Sequence, residues 1–147
     1  MQKIIIVTII FFSFFSNSIS IESNYFLSLK NKKVNVRYGP GFDYPIKYIY
    51  KKKFLPVKVI DKKENFRRII DHKKNSGWIH RIMLRKLYSL ITLEEKILFK
   101  KNSKFSKPLA KLEKGRLVII KKCKINWCRI ETGNYIGWID TKNVWGI

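Results

Sequence analysis

The sequence predicts an all-β protein built from two tandem small β-barrels behind an N-terminal signal peptide, and three observations lead there. The triplet Gly-Trp-Ile stands at residues 77–79 and again at 137–139, with further motifs repeating in the same order around it. Beyond residue 30, short runs of β-branched and aromatic residues alternate with polar ones, and no segment keeps a helical period for more than one turn. The first twenty residues carry a single cation, then an apolar stretch, then small polar residues.

That opening segment, MQKIIIVTIIFFSFFSNSIS, carries its cation at Lys3, an apolar stretch over residues 4–15 interrupted by Thr8 and Ser13, and small polar residues up to Ser20. These are the n-region, h-region and cleavage site of a secretory signal peptide, with cleavage expected after Ser20. The apolar stretch is about twelve residues, short of the ~20 a spanning helix needs. No Cys follows it, so a lipid anchor has no attachment site. The expected location is periplasmic or secreted, and residues 21–29 are read as a short N-terminal segment.

The net charge is +22, and removing the leader takes away one Lys and no acid, which leaves +21. A balance so basic favours polyanionic partners. Lys outnumbers Arg by 25 to 7, and Ala110 is the single alanine. That bias is typical of AT-rich coding sequence, so part of the charge reflects composition rather than a ligand. Lys is also a hydrated point charge without the planar fork that suits bidentate readout. Attraction to anionic surfaces is expected; specific nucleic-acid recognition is not.

Aligning Trp78 with Trp138 sets NFRRI (65–69) on NWCRI (126–130) and FDYPI (42–46) on FSKPL (105–109). Three matches in one order mark an internal repeat of about 60 residues. In the first copy, KVNVRY (33–38) puts Val34 and Val36 on one face and Asn35 and Arg37 on the other, and PVKVID (56–61) alternates in the same way. FRRIID and GWIH complete the set; RLVIIKK, WCRIE and YIGWID repeat the style in the second copy. Between the copies, MLRKL (83–87) and TLEEKIL (92–98) are each compatible with one helical turn. Five short strands in roughly 55 residues make a small bent barrel rather than a sandwich. The bounds read from these runs are 30–86 for the first barrel, 87–96 for a connecting segment and 97–147 for the second barrel.

A copy of this size is marginal in stability, so a staple would help. Cys123 and Cys128 flank KINW (124–127), and an even Cys count in an exported protein is most simply a disulfide. The six-residue loop it would close is worth about 2 kcal/mol in the chain-entropy account. The alternative is a zinc site that adds His72 and His80, although the Cys spacing is loose and both His belong to the other copy.

The stretch KVNVRYGPGFDYPIKYIYKKKFLPVKVI, followed by ENFRRI and SGWIH, resembles the bacterial SH3-like (SH3b) domain. CKINWCRIETGNYIGWIDTKNVWGI resembles the second copy of the tandem form seen in exported alphaproteobacterial proteins. The resemblance covers residues 30–147 and is sharpest at Asn35-Val36-Arg37-x-Gly39-Pro40 and Gly77-Trp78. The second copy departs from it, because ILFKKNSKFSKP lacks the Asn-x-Arg-x-Gly-Pro signature; in the first, Lys52 to Phe54 stand where a Gly is usual. What it implies is an SH3-like barrel in each copy and, for function, binding of peptidoglycan, its peptide stems or a protein partner.

The residues agree with a structural role for the signature. Gly39 and Pro40 end a strand in a turn. Arg37 is placed to reach back over the following loop and bond its carbonyls. Gly77 and Gly137 precede Trp inside strands, where a missing side chain lets another backbone lie close. The candidate ligand groove is aromatic: Tyr38, Tyr44, Tyr48 and Trp78 in the first copy, Trp127, Tyr135 and Trp138, with Trp145 beside them, in the second. Rings of this kind stack on sugars or hold extended peptides, with Lys supplying charge. The competing assignment puts Trp78 and Trp138 in the core. No catalytic residue, cofactor or metal is expected, and the function predicted is a non-enzymatic envelope binding module. The alternative is generic attraction to polyanions or anionic membrane surfaces through Lys51 to Lys53 and Lys100 to Lys104.

Overall fold

The computed structural model describes residues 24–147; the expected signal peptide and its cleavage site lie outside the described residues. Among the described residues, fourteen strands make two seven-stranded antiparallel sheets. The first holds β1 (Tyr25–Leu29), β2 (Val34–Arg37), β3 (Ile46–Tyr50), β4 (Pro56–Lys63), β5 (Phe66–Ile70), β6 (Ser76–His80) and β7 (Leu84–Lys86). The second holds β8 (Ser89–Thr92), β9 (Lys96–Phe99), β10 (Pro108–Leu112), β11 (Leu117–Lys124), β12 (Trp127–Thr132), β13 (Tyr135–Asp140) and β14 (Val144–Trp145). Their orders, β3-β2-β6-β5-β4-β1-β7 and β10-β9-β13-β12-β11-β8-β14, become identical when seven is added to each label of the first. The duplication seen in the motifs is therefore a duplication of topology.

Strand alternation explains which residues face inward. Val34 and Val36 of β2, and Gly77 and Ile79 of β6, are buried, while Asn35 is exposed. Two positions differ from the predicted bounds. The N-terminal segment contributes β1, which pairs with β4 and β7, and the connecting segment contributes β8, which pairs with β11 and β14. All four residues of β8 are buried, so there was no polar-apolar alternation to betray it. The expected helical turns resolve into a 3-10 turn at Arg81–Met83, just ahead of β7, and a bend between β8 and β9. His80 caps that 3-10 turn, its Nδ1 accepting from the Ile82 N–H at 3.4 Å.

Each barrel has its own core, and β8 connects them. Leu90 joins the second core with Leu98, Val118, Ile130 and Ile139, while its neighbour Ile91 points the other way and joins the first, beside Val57, Ile69 and Ile79. Trp145 strengthens the seam from the opposite end of the chain. Its indole Nε1 donates to the Pro56 carbonyl at 2.9 Å, and its ring meets Phe26 edge-on with centroids 5.1 Å apart. The Tyr88 N–H donates to Ser28 Oγ at 3.0 Å, and Ser89 Oγ donates to the Phe54 carbonyl.

Cys123 and Cys128 stand opposite each other in the β11–β12 hairpin with Cα atoms 4.1 Å apart, and they are joined as a disulfide. The turn between them holds Asn126 at φ 62°, a left-handed conformation that Asn tolerates. With the sulfurs bonded to each other, neither is a thiolate for zinc, and His72 and His80 lie at different places in the first barrel. Reduction is expected to lower stability by about 2 kcal/mol, read as a lower urea midpoint in the presence of a phosphine reductant.

Candidate binding clefts

In the first barrel the end of β2 organises a cleft. Arg37 Nη1 donates to the carbonyls of Phe42 at 3.2 Å and Tyr44 at 2.7 Å, and its guanidinium lies 5.4 Å from the centre of the Phe42 ring. The loop 38–45 is thereby folded back along the sheet. Gly39 permits this, because a Cβ there would fall 2.3 Å from the Tyr44 ring. Phe42 stacks on His80 at 5.1 Å and meets Phe66 edge-on at 5.2 Å. These rings, with Lys33, Asn35, Arg37 and Met83 of the 3-10 turn, line a cleft of about 300 Å³. An aromatic wall, one amide and two cations suit an extended peptide that carries a carboxylate.

A larger cleft, about 760 Å³, opens between the barrels, where Tyr50, Lys52, Asp71, His72 and Lys73 face Thr92, Leu93 and Lys114. Asp71 is committed to structure there: it accepts from the backbone N–H of Lys73 and of Asn75, from Asn75 Nδ2, and from the Tyr50 hydroxyl at 2.9 Å. Burial, together with the bonds to Tyr48 and Asp71, drives the Tyr50 hydroxyl pKa far above its ordinary value. Burial likewise lowers the pKa of His72, against the pull of Asp71.

The family model for the bacterial SH3 domain matches this chain twice, over residues 30–86 and 95–146. The chain belongs to the bacterial SH3 domain family. Among solved structures it is similar to "Structure of NlpC2 from Trichomonas vaginalis", with 15% identity over 85% of this chain and 49% of that one and a TM-score of 0.38. It is also similar to "Structure of NlpC1 from Trichomonas vaginalis", with 15% identity, 85% and 46% coverage and a TM-score of 0.37. The chain spans about half the length of each. No curated protein matches it.

The first SH3 domain places its predicted groove rings at several sites. Tyr38 and Tyr44 sit exposed on the loop that Arg37 holds, with Lys47 Nζ 5.6 Å from the Tyr38 ring centre. Tyr48 packs against the core and shares a hydrogen bond with the Tyr50 hydroxyl at 3.3 Å; burial raises its pKa. Trp78 is half-buried on the outer sheet face, opposite Arg37 and Arg68. In the second SH3 domain Trp138 is only 8% exposed, with Lys122 and Lys124 about as far from its ring as an ordinary cation–π pair, at 5.7 and 5.6 Å. Trp127 touches Phe99 with centroids 6.0 Å apart, and Tyr135 lines a separate cleft of about 340 Å³. None of the seven lines the 300 Å³ cleft. Trp127, Tyr135 and Trp138 belong to the other domain, Tyr48 packs against the first core, and Trp78, on the same face of β6 as His80, sits further along the strand opposite Arg37 and Arg68.

What lines that cleft was only half visible. The repeat marks Phe42 in the shared Phe-x-x-Pro and Phe66 in Asn-aromatic-x-Arg-Ile, the turn signature marks Asn35 and Arg37, and His80 enters only through the zinc alternative, whereas Lys33 and Met83 carry no mark of a site. The second domain does not repeat the arrangement. Phe99 occupies the place of Arg37, each opposite the Trp of β6 or β13. Asp140 ends β13 as His80 ends β6, and it accepts from Lys96 Nζ at 2.9 Å, while Glu94 accepts at 2.8 Å. Burial disfavours the Lys96 charge, and these bonds outweigh it, so its pKa is raised.

Proposed function

We propose that this tandem SH3 chain is a non-enzymatic binding module of the bacterial envelope, exported to the periplasm or beyond, which holds a peptidoglycan stem peptide or a comparable peptide. The ligand lies in the first-domain cleft between the Arg37-held loop and the 3-10 turn. The observation that carries this is the convergence of Phe42, Phe66 and His80 with Asn35, Lys33 and Arg37 around about 300 Å³. Stem peptides are extended and bear carboxylates, which the two cations meet while the rings cover apolar side chains. Family membership supports the ligand class. For chemistry, Cys123 and Cys128 are consumed by their disulfide, and His80 is engaged as a cap between two Phe rings. Both sheets are complete within residues 24–147, so a chain of residues 21–147 contains the whole described fold.

The test is co-sedimentation of residues 21–147 with purified sacculi over a salt series. Binding is expected to persist at ~0.3 M salt, where exposed charges are screened within several ångströms. Arg37→Met, which removes charge-assisted bonds worth about 1.5–3 kcal/mol each, is expected to weaken it at least about tenfold. Phe42→Ala, a change at a ring 66% exposed, should weaken it without loss of folding. Binding that vanishes at ~0.3 M salt and is equal in all three proteins would assign it to the general positive charge and refute the cleft.

A further inference from the structure

The two domains treat one repeat position in opposite ways. Phe42 is drawn against Phe66 and His80 by the bonds from Arg37, whereas its counterpart Phe105 is 102% exposed. The cause is the exchange at the end of the strand. Phe99, in the place of Arg37, has no donor for loop carbonyls and turns to Trp127 instead. The loop 100–107 is nevertheless ordered by its own bonds. The Lys100 N–H donates to the Lys107 carbonyl at 2.9 Å, the Lys101 N–H to Ser106 Oγ at 2.9 Å and the Phe105 N–H to Ser103 Oγ at 3.2 Å. A phenyl ring is thus held outward, with Lys100, Lys101, Lys104 and Lys107 exposed around it. No acid lies between residues 96 and 112, and among the described residues no ion pair engages these four lysines.

A second tip stands beside it. Ile125, in the β11–β12 turn, is 89% exposed and flanked by Lys122 and Lys124, with Lys121, paired to Glu131, further back along β11. The matching turn of the first domain holds Glu64 and Asn65. The contact of Phe99 with Trp127 sets the roots of the two basic loops side by side.

We propose that this end of the second domain docks on an anionic phospholipid bilayer, with Phe105 and Ile125 entering the interfacial layer and the surrounding lysines facing the phosphates. An interfacial bilayer takes up aromatic and aliphatic side chains and attracts cations at once. Each Lys near an anionic surface is worth roughly a fivefold gain in binding. A soluble polyanion would satisfy the lysines but offers the ring no apolar phase, and a convex tip gives a peptide no groove. This surface is separate from the first-domain cleft, so the chain could rest on the membrane with its peptide site open.

The experiment uses residues 21–147, free of the apolar leader, with phosphatidylcholine vesicles that do or do not contain about 30% phosphatidylglycerol. Binding is expected only to the anionic vesicles. Phe105→Ser should weaken it about tenfold with no change in melting temperature, because that ring touches nothing in the fold. Phe42→Ser at the equivalent position should leave it unchanged. In Phe105→Trp, paired with the wild type to subtract the four native tryptophans, the new indole should blue-shift and be quenched by brominated lipid. Equal binding of Phe105→Ser and wild type, no binding to anionic vesicles, or an unquenched indole would each overturn the proposal. So would an equal loss by Phe105→Ser of binding to soluble polyphosphate.

Discussion

Trp145→Ala is expected to lower the stability of the folded chain by about 3 kcal/mol and to split one unfolding transition into two. The residue sits at the last strand, yet its indole N–H bonds the Pro56 carbonyl in the first domain and its ring lies edge-on to Phe26. Lys74 Nζ lies 5.8 Å from the ring centre. Truncation removes these contacts together and leaves the Pro56 carbonyl without its partner. Each domain by itself is near the size at which a single core barely suffices, so the coupling across the seam is a sizeable part of the total. Urea unfolding followed by far-UV circular dichroism and by tryptophan fluorescence checks this: the two curves should coincide in the wild type and separate in the variant. Trp145→Phe is the control. It keeps a ring against Phe26 and loses only the hydrogen bond, so about 1 kcal/mol should disappear and the curves should stay together.

Gly137→Ala is expected to cost about 3 kcal/mol, the upper end for an overpacked site, and to unfold the second domain first. A Cβ at residue 137 would fall 2.6 Å from the Phe99 carbonyl oxygen and 2.8 Å from Leu98 Cγ. The first of these is backbone, and Phe99 is where β9 registers with β13, so relief requires that strand to move. Gly77→Ala meets a similar obstacle of different kind: the nearest atom, at 2.4 Å, is a methyl of Val36, with the Arg37 carbonyl at 3.0 Å. A side chain can rotate where a carbonyl in a ladder cannot, so this change should cost less, about 1–2 kcal/mol. Thermal melts of the two single variants and the wild type rank them; a larger loss for Gly77→Ala would contradict the reasoning.

The repeated order of motifs within one chain revealed the duplication because each barrel needs a Gly ahead of its Trp, where a Cβ would meet the strand that ends at Arg37 or Phe99. The motifs themselves are written in neighbouring letters, although the strand whose close approach demands the Gly lies far earlier in the chain. The disulfide was legible for the same reason, since Cys123 and Cys128 sit in one hairpin. Phe42 was legible as a repeat mark, whereas its role in a cleft was not: that depends on His80 and Phe66, which arrive from other strands.

Local chemistry by itself determined that this chain is all-β and twofold, because alternation and turns are short-range demands, and the resemblance of its motifs to a known domain added that each half is SH3-like. Tertiary structure alone decided three further matters. It placed Leu90 and Ile91, adjacent in sequence, in different cores, since a strand buried on both faces shows no alternation. It joined the first and last strands through Trp145. And it decided that the exchange of Arg37 for Phe99 folds one loop into a cleft and leaves the other projecting Phe105 into solvent, because the guanidinium at 37 donates to carbonyls of the loop that follows and a phenyl ring at 99 has no donor to offer.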